Sequence, residues 1–118
     1  MHASTNNSSS YWYLDTGANS HVTPDYSKLH IPTSYSVYDT ITVSNGQSLP
    51  ISNTGSGFVY TPTGTFSLST LHHVPSLTSN LLYVYMFAKE NSCILIFIAH
   101  NFKIVENLTK QIRFTGRY

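Results

Sequence analysis

Charged residues are scarce in this chain: they make up 9% of its 118 residues, against roughly 25% in an average domain. The formal net charge is +1 and no basic run or stripe occurs, so the composition does not predict contact with nucleic acid. One cysteine, Cys93, excludes an internal disulfide and a multi-cysteine zinc site. The apolar run 93–98 is too short to span a bilayer, and no signal peptide is visible. These absences predict one soluble intracellular domain without membrane contact.

The histidines lack the spacing of a metal site. His72 and His73 are adjacent, so on a strand their side chains point to opposite faces. His21, His30 and His100 are scattered along the chain. The serines would permit a hydrolytic triad, but no Gly-x-Ser-x-Gly motif supports one. We therefore expect neither a metal nor a cofactor, with a zinc site and a serine hydrolase as the alternatives that these residues leave open.

Short segments of strand character, separated by Gly, Pro and Asn turns, predict an all-β fold. In chain order the predicted strands are 11–14, 34–38, 41–44, 47–51, 58–61, 65–71, 92–99, 102–106 and 111–115. One short helix is predicted over 83–91, with Ser79 or Asn80 as its cap. Residues 1–10 are polar and aperiodic and are predicted to be a disordered linker, which leaves 11–118 as the folded domain.

A hairpin is predicted where Asn45-Gly46 separates 41–44 from 47–51, because a two-residue turn of this kind needs positive φ at both residues. Pro50 cannot donate to a strand ladder, so the return strand is predicted at an edge or outside the main sheet. Such a hairpin suits a mobile cover over a site, and a plain surface hairpin fits the same residues.

Three further positions carry turn or bulge signals. Gly55 and Gly57 predict a bulge or a close backbone approach, since neither has a Cβ. A second hairpin is predicted around residues 62–64, between the strands 58–61 and 65–71.

Asp15-Thr16-Gly17 is the motif that can carry chemistry. The aromatic run 11–13 favours a half-buried strand, and Gly17 then permits a sharp turn. A carboxylate between a buried strand and a small-residue turn is partly desolvated, so its proton affinity can be tuned. On the triplet alone, an Asp that caps its own backbone at an ordinary turn is the simpler interpretation. The residues around it reverse that preference.

The segment 11–23, which continues through Ala18 to Asn19-Ser20-His21-Val22-Thr23, resembles the active-site segment of copia-type retrotransposon proteases. These are retropepsin-like aspartic proteases encoded within a larger Pol polyprotein. The segments 71–77 and 80–82 resemble the region after the flap in the same family, where the apolar strand at 81–82 passes behind the catalytic turn. The resemblance covers about residues 11–117 and implies a small closed barrel with a flap hairpin.

The resemblance also implies roles for seven residues. The catalytic turn would be Asp15, Thr16 and Gly17, and the substrate would be bound by Ala18, Asn19, Asn45 and Gly46. Peptide hydrolysis of this type needs two carboxylates that share a proton. The chain has a single Asp-Thr-Gly, so we expect a homodimer in which Asp15 meets its twin on the two-fold axis. The implied substrate is the element's own Gag-Pol polyprotein, and the implied location is the cytoplasm, associated with virus-like particles.

Two departures from the family pattern bear on activity. Tyr83 and Tyr85 stand where the family has small residues, and a ring behind the catalytic turn would overpack it at a cost of about 1–3 kcal/mol. A ring that swings outward to solvent, the alternative, would leave the turn intact at little cost. We therefore expect weak activity and a gain on Tyr83→Ser. The turn at 109–111 also lacks the family's glycine. A catalytically degenerate β-barrel domain that only binds, or an unrelated small β-barrel module, are the alternatives.

Overall fold

The structure is a computed structural model that describes residues 2, 3, 11–17, 19–35 and 39–117. Within these residues strand is the predominant secondary structure and one short α-helix occurs, which confirms the all-β class. In chain order the elements are β1 (His2–Ala3), β2 (Trp12–Asp15), β3 (His21–Thr23), a 3-10 helix (Tyr26–Lys28), β4 (His30–Ser34), β5 (Thr40–Thr42), β6 (Ser48–Pro50), β7 (Asn53–Thr61), β8 (Gly64–His73), β9 (Asn80–Tyr83), α1 (Val84–Glu90), β10 (Cys93–Ile98), β11 (Asn101–Glu106) and β12 (Ile112–Arg117).

The described strands form three sheets rather than the single closed barrel that the sequence suggested. The largest sheet has seven strands in the order β1-β2-β9-β3-β8-β7-β4. A three-stranded sheet follows the order β10-β11-β12, and β5 pairs with β6 alone. The predicted position of β6 outside the main sheet is thus confirmed.

Two parallel pairings organise the large sheet. β2 runs parallel to β9, with Leu14 opposite Leu82 and Asp15 opposite Tyr83. β3 runs parallel to β8 and antiparallel to β9, which places β9 between β2 and β3. The predicted passage of 81–82 behind the Asp15 turn is therefore present.

The main core lies where the large sheet, α1 and the three-stranded sheet meet. Its members share deep burial of an apolar or aromatic side chain; they are Trp12, Leu14, Leu29, Val59, Phe66, Leu68, Leu71, Leu82, Phe87, Cys93, Phe102, Ile104 and Phe114. Phe87 is the buried residue of α1, and its ring centroid lies 5.1 Å from that of Phe66. A seven-residue helix with one buried anchor depends on tertiary packing for its stability.

The first strand of the three-stranded sheet, β10, presents an apolar row on its outer side. Ile94, Ile96 and Ile98 alternate with the core-facing residues of β10 and are exposed. Among the described strands β10 pairs only with β11, so it forms an edge of this sheet.

Two predictions of local structure, a strand and a helix cap, were wrong. The strand expected over 34–38 begins earlier, as β4, and includes Pro32; residues 36–38 lie outside the described part. Proline is tolerated because β4 is an edge strand and its pairing with β7 is irregular at this point. The predicted helix cap is also absent: Tyr83 is the N-cap residue and makes no side-chain cap bond. Asn80 instead accepts a hydrogen bond from the Thr23 hydroxyl at 2.5 Å.

The β5–β6 hairpin has a three-residue turn, not the two-residue turn expected. Gly46 has φ +85°, whereas Asn45 keeps a negative φ. The Gly46 N–H donates to the Val43 carbonyl at 2.8 Å, and the Val43 N–H donates to the Gln47 carbonyl at 2.9 Å. This is the type I turn followed by a left-handed glycine, for which Asn-Gly is equally suited.

The glycine predictions in β7 are confirmed. The register between β7 and β8 shifts between Gly55 and Gly57. A Cβ on Gly55 would lie 2.7 Å from the His30 carbonyl oxygen, and one on Gly57 would lie 2.7 Å from Leu71 Cδ2. The second hairpin is present as β7 and β8, joined at residues 62–63.

The predicted linker lies mostly outside the described residues. Within it, His2–Ala3 pair with Trp12 and Tyr13 as strand β1. For residues 1 and 4–10 disorder stays a prediction.

The glycine missing from the turn at 109–111 has a structural consequence. Lys110 takes its place with φ +62°, a left-handed conformation that a side chain disfavours. We expect Lys110→Gly to raise the free energy of unfolding by about 0.5–1 kcal/mol, after the extra entropy of an unfolded glycine is subtracted. Leu108→Gly is the matched control, because Leu108 is 87% exposed in the same turn and has a negative φ. Urea unfolding should show a lower free energy of unfolding for Leu108→Gly. A lower free energy of unfolding for both variants would contradict a strained Lys110.

Candidate active site

Asp15 is the last residue of β2 and is half-buried. Its Oδ1 accepts a hydrogen bond of 2.8 Å from the Gly17 N–H, which folds the turn back onto the carboxylate. Behind it, the backbone of Tyr83 in β9 is its register partner. The carboxylate is thus held between a sheet and a tight turn, as the residue pattern predicted.

Asp15 faces a cleft of about 1010 Å³. The cleft lies between the end of β2 with the turn after it, the β5–β6 hairpin, and the loop 76–79. Most lining residues are hydroxylic, amide or apolar, and Asp15 is the one carboxylic acid among those the structure describes there. No histidine is among those described lining residues, so the cleft does not hold the parts of a Ser-His-Asp triad.

The predicted site residues fall into three groups. Asp15, Gly17, Asn19 and Asn45 line the cleft. Thr16 and Gly46 are exposed and do not line it. Gly46 forms the tip of its turn, whereas the neighbouring residues 40–45 and 47 reach the cleft. Ala18 lies outside the described residues.

The β5–β6 hairpin is attached to the body by a second apolar cluster. Leu49 and Ile51 are buried against Val22 and Val74, and Leu81 packs at the margin. This contact makes the hairpin a wall of the cleft.

Backbone hydrogen bonds hold the base of the hairpin. The Tyr35 N–H donates to the Ser52 carbonyl at 3.0 Å, and the Ser52 N–H donates to the His73 carbonyl at 2.9 Å. The tip beyond Thr42 and Ser48 has no strand partner among the described strands other than itself. The hairpin is therefore anchored at its base and open at its tip.

The other acids are engaged elsewhere. Asp25 accepts hydrogen bonds from the backbone and hydroxyl of Ser27, which are the main reason why its pKa is lowered. Asp39 accepts a bond from the Tyr35 hydroxyl at 3.3 Å. Glu106 lies 3.6 Å from Arg113. A second carboxylate for Asp15 would thus have to come from another chain.

A buried network behind Asp15 was not foreseen from the sequence. His21 is 2% exposed, and its Nδ1 accepts a hydrogen bond of 2.9 Å from the Tyr83 N–H. Its Nε2 lies 3.2 Å from Glu90 Oε1, and the other Glu90 oxygen accepts a bond from the Ser69 N–H. Burial lowers the pKa of His21, while Glu90 acts in the opposite direction. The sequence signal was a histidine directly before the β-branched pair Val22-Thr23.

Tyr83 and Tyr85 do not crowd the Asp15 turn. The Tyr83 ring is partly exposed and lies beside His21 and Tyr85, at centroid distances of 6.4 and 6.1 Å. Tyr85 is 65% exposed. The pairing of Asp15 with Tyr83 is regular. The overpacking expected from sequence is therefore wrong, because the chain turns into α1 at Tyr83 and leaves room for both rings, and Tyr83→Ser has no strain to relieve.

The described residues offer neither a metal cluster nor a membrane-spanning helix. They contain no group of three or more His, Cys, Asp or Glu side chains placed to hold a metal ion. They also contain no helix of the length and apolarity needed to cross a membrane.

The fold and the site define a small all-β domain with an Asp-Thr-Gly turn at the base of a cleft walled by a hairpin. The chain belongs to the family described as "Pol polyprotein, beta-barrel domain", whose model matches residues 12–92. It is 33% identical to the retrovirus-related Pol polyprotein from transposon RE1 of Arabidopsis thaliana, over 97 aligned residues that make up 82% of this chain. It is 30% identical over 93 residues, or 79% of the chain, to the corresponding polyprotein from transposon RE2 of that plant.

These comparisons establish an origin in a retrotransposon Pol polyprotein. The chain spans only 7% and 6% of the two relatives, so it corresponds to one short segment of each. No solved structure matches the chain.

Two histidines, the buried His21 and the half-buried His72, predict how stability depends on pH. Burial is the largest cause that lowers the pKa of both His21 and His72 below the ordinary 6.5. The unfolded chain keeps the ordinary value and binds more protons below it, so stability is full above about pH 6.5 and falls as the pH drops towards the lowered values. Urea unfolding at about pH 7.5 and about pH 5.5 should give the lower free energy at the acid pH.

His72→Phe should reduce this difference while keeping the ring contact with Tyr35 at 5.6 Å. It also removes the His72 Nδ1, which is buried without a hydrogen-bond partner. His30→Asn is the control, because His30 is an exposed histidine. Equal stability at both pH values would contradict the assignment of two neutral rings with lowered pKa values.

Proposed function

We propose that this domain is an aspartic endopeptidase that acts as a homodimer and cleaves the polyprotein of its own retrotransposon. The observation that carries the proposal is Asp15 as the one carboxylate among the described residues of a cleft that a polypeptide could enter. Hydrolysis by this chemistry takes two carboxylates, one to activate water and one to polarise the scissile carbonyl. One Asp from each of two identical chains satisfies that requirement.

The described cleft suits an extended peptide. Its walls carry many hydroxyl and amide groups, among them Ser76, Thr78, Asn19 and Asn45, which can bond to peptide backbone. Ile41, Leu49 and Leu77 provide apolar surface between them. The open tip of the β5–β6 hairpin would close over the bound chain as a flap. Thr16, exposed beside Asp15, would brace the two turns across the dimer axis.

The family supports the proposed setting. The two relatives are Pol polyproteins of transposons, which suggests the element's own polyprotein as substrate, cut in the cytoplasm within virus-like particles. No cofactor is needed for this reaction, and no contact of the domain with nucleic acid or membrane is proposed.

Asp15→Asn should lower kcat for cleavage of an unstructured polypeptide by about three orders of magnitude or more, since it removes a group that touches the reacting atoms. Peptides that carry a tetrahedral hydroxyl in place of the scissile carbonyl should inhibit, because they resemble the transition state. Asp25→Asn is the matched control, as Asp25 bonds to its own Ser27. Undiminished cleavage by Asp15→Asn, or inhibition by a serine-directed reagent instead, would refute the proposal. A folded chain that cleaves nothing would favour a domain that only binds.

Mixing chains tests the shared site directly. Wild-type chains exchanged with an equal amount of Asp15→Asn pair at random, so about half of them acquire a variant partner and activity falls to about half. Adding the same amount of Asp25→Asn should cause no loss. A monomeric enzyme would keep its full activity in both mixtures, and sedimentation equilibrium would report the monomer.

A further inference from the structure

The imidazole of His21 completes the backbone pairing of β9 directly behind Asp15. β3 pairs with β9 at Val22 and Leu81, and the pairing stops there. Two residues further along β9, the Tyr83 N–H is bonded to His21 Nδ1 at 2.9 Å in place of a strand carbonyl. A side chain thus holds the last backbone group of the strand.

The neighbours of His21 define its protonation. Because Nδ1 accepts a hydrogen bond, it carries no proton, and the proton of the neutral ring is on Nε2. Nε2 then donates to Glu90 Oε1 at 3.2 Å, and the Glu90 carboxylate also accepts the Ser69 N–H. One neutral ring therefore links β3, β9 and α1, and through Glu90 it reaches β8.

The bonded residue is the one that matters for Asp15. Tyr83 is the register partner of Asp15 and the N-cap residue of α1. Its backbone position fixes where β9 ends and where the helix begins. The Gly17 N–H holds the Asp15 carboxylate from the turn side, and β9 supports the same residue from the sheet side.

We propose that His21 is a positioning residue for the Asp15 site: its neutral imidazole fixes the backbone of Tyr83, and with it the strand behind Asp15. This inference rests on the proposed function for its effect on cleavage. The contact itself can be tested without any activity. A geometric error of about 1 Å in a reacting group can cost on the order of 100-fold in rate, so such support has a measurable effect.

The arrangement makes the site sensitive to acid. A second proton would enter at Nδ1 and point an N–H at the Tyr83 N–H, so that two donors face each other. The charged groups around the ring are Glu90 on α1, which favours the imidazolium, and His72 on β8, which opposes it when protonated. Tyr83 on β9 adds a partly exposed phenol. Burial opposes the imidazolium most strongly.

Nuclear magnetic resonance of the ¹⁵N-labelled chain tests the contact. We expect His21 to carry its proton on Nε2 at neutral pH, and the Tyr83 amide signal to shift with the same midpoint as the imidazole on acidification. In His21→Asn, whose Oδ1 lies close to the Nδ1 position and can accept the same bond, the Tyr83 amide should no longer titrate. A proton on Nδ1 at neutral pH, or a Tyr83 signal that His21→Leu leaves unchanged, would overturn the inference.

Peptide cleavage tests the consequence. His21→Leu should lower kcat by about 10- to 100-fold with KM within about twofold. His21→Asn should recover most of kcat and abolish the fall in kcat that follows protonation of the imidazole, whose pKa burial holds below the ordinary 6.5. His72→Asn, the control at the half-buried histidine of β8, should keep that loss. Wild-type kcat in His21→Leu, or an unchanged acid loss in His21→Asn, would refute the role of His21.

The two proposals fail separately. A wild-type chain that cleaves no polypeptide refutes the peptidase, and the imidazole and amide signals still decide whether His21 holds Tyr83. A wild-type chain that cleaves, together with a fully active and folded His21→Leu, refutes only the positioning role.

Discussion

The parallel pairing of β2 with β9 is the constraint on which the rest of the structure depends. It buries Leu14 beside Leu82 and places Asp15 opposite Tyr83. β3 takes the other side of β9, and α1 starts where β9 ends. A parallel pair has no tight turn to nucleate it, so it forms only when the intervening strands are in place. The candidate site is therefore a product of the whole fold.

The sequence predicted what is encoded locally. Alternation and turn residues sufficed for β2, for the β7–β8 hairpin and for the final three strands, because strand period and turn chemistry are properties of a few neighbouring residues. The failures involve distant partners. Pro32 enters a strand because β4 is at an edge, and Asn80 leaves the helix cap because the Thr23 hydroxyl engages it across the sheet. A short stretch of sequence predicts neither the position of a strand at the edge of a sheet nor a hydrogen-bond partner on a distant strand.

The candidate site divides in the same way. Asp15, Gly17 and the hairpin with Asn45 were all accessible from motifs, and the structure brings them to one cleft. The support behind Asp15 was not accessible, because His21 meets Tyr83 and Glu90 only after three separate elements pack together. The expected crowding by Tyr83 failed for a related reason. Side-chain volume is readable from sequence, but the direction in which the chain turns at the end of β9 is not.

The apolar edge strand β10 favours association of this chain with itself in concentrated solution. An edge strand without proline, charge or bulge is a template for strand addition by another chain. β4 carries Pro32 and an irregular register, and so disfavours addition, whereas β10 presents six uncharged residues in a regular ladder. Ile94, Ile96 and Ile98 offer a water-exposed apolar row beside that edge. Unspecific edge-to-edge stacking therefore competes with any ordered assembly, and the competition grows with protein concentration.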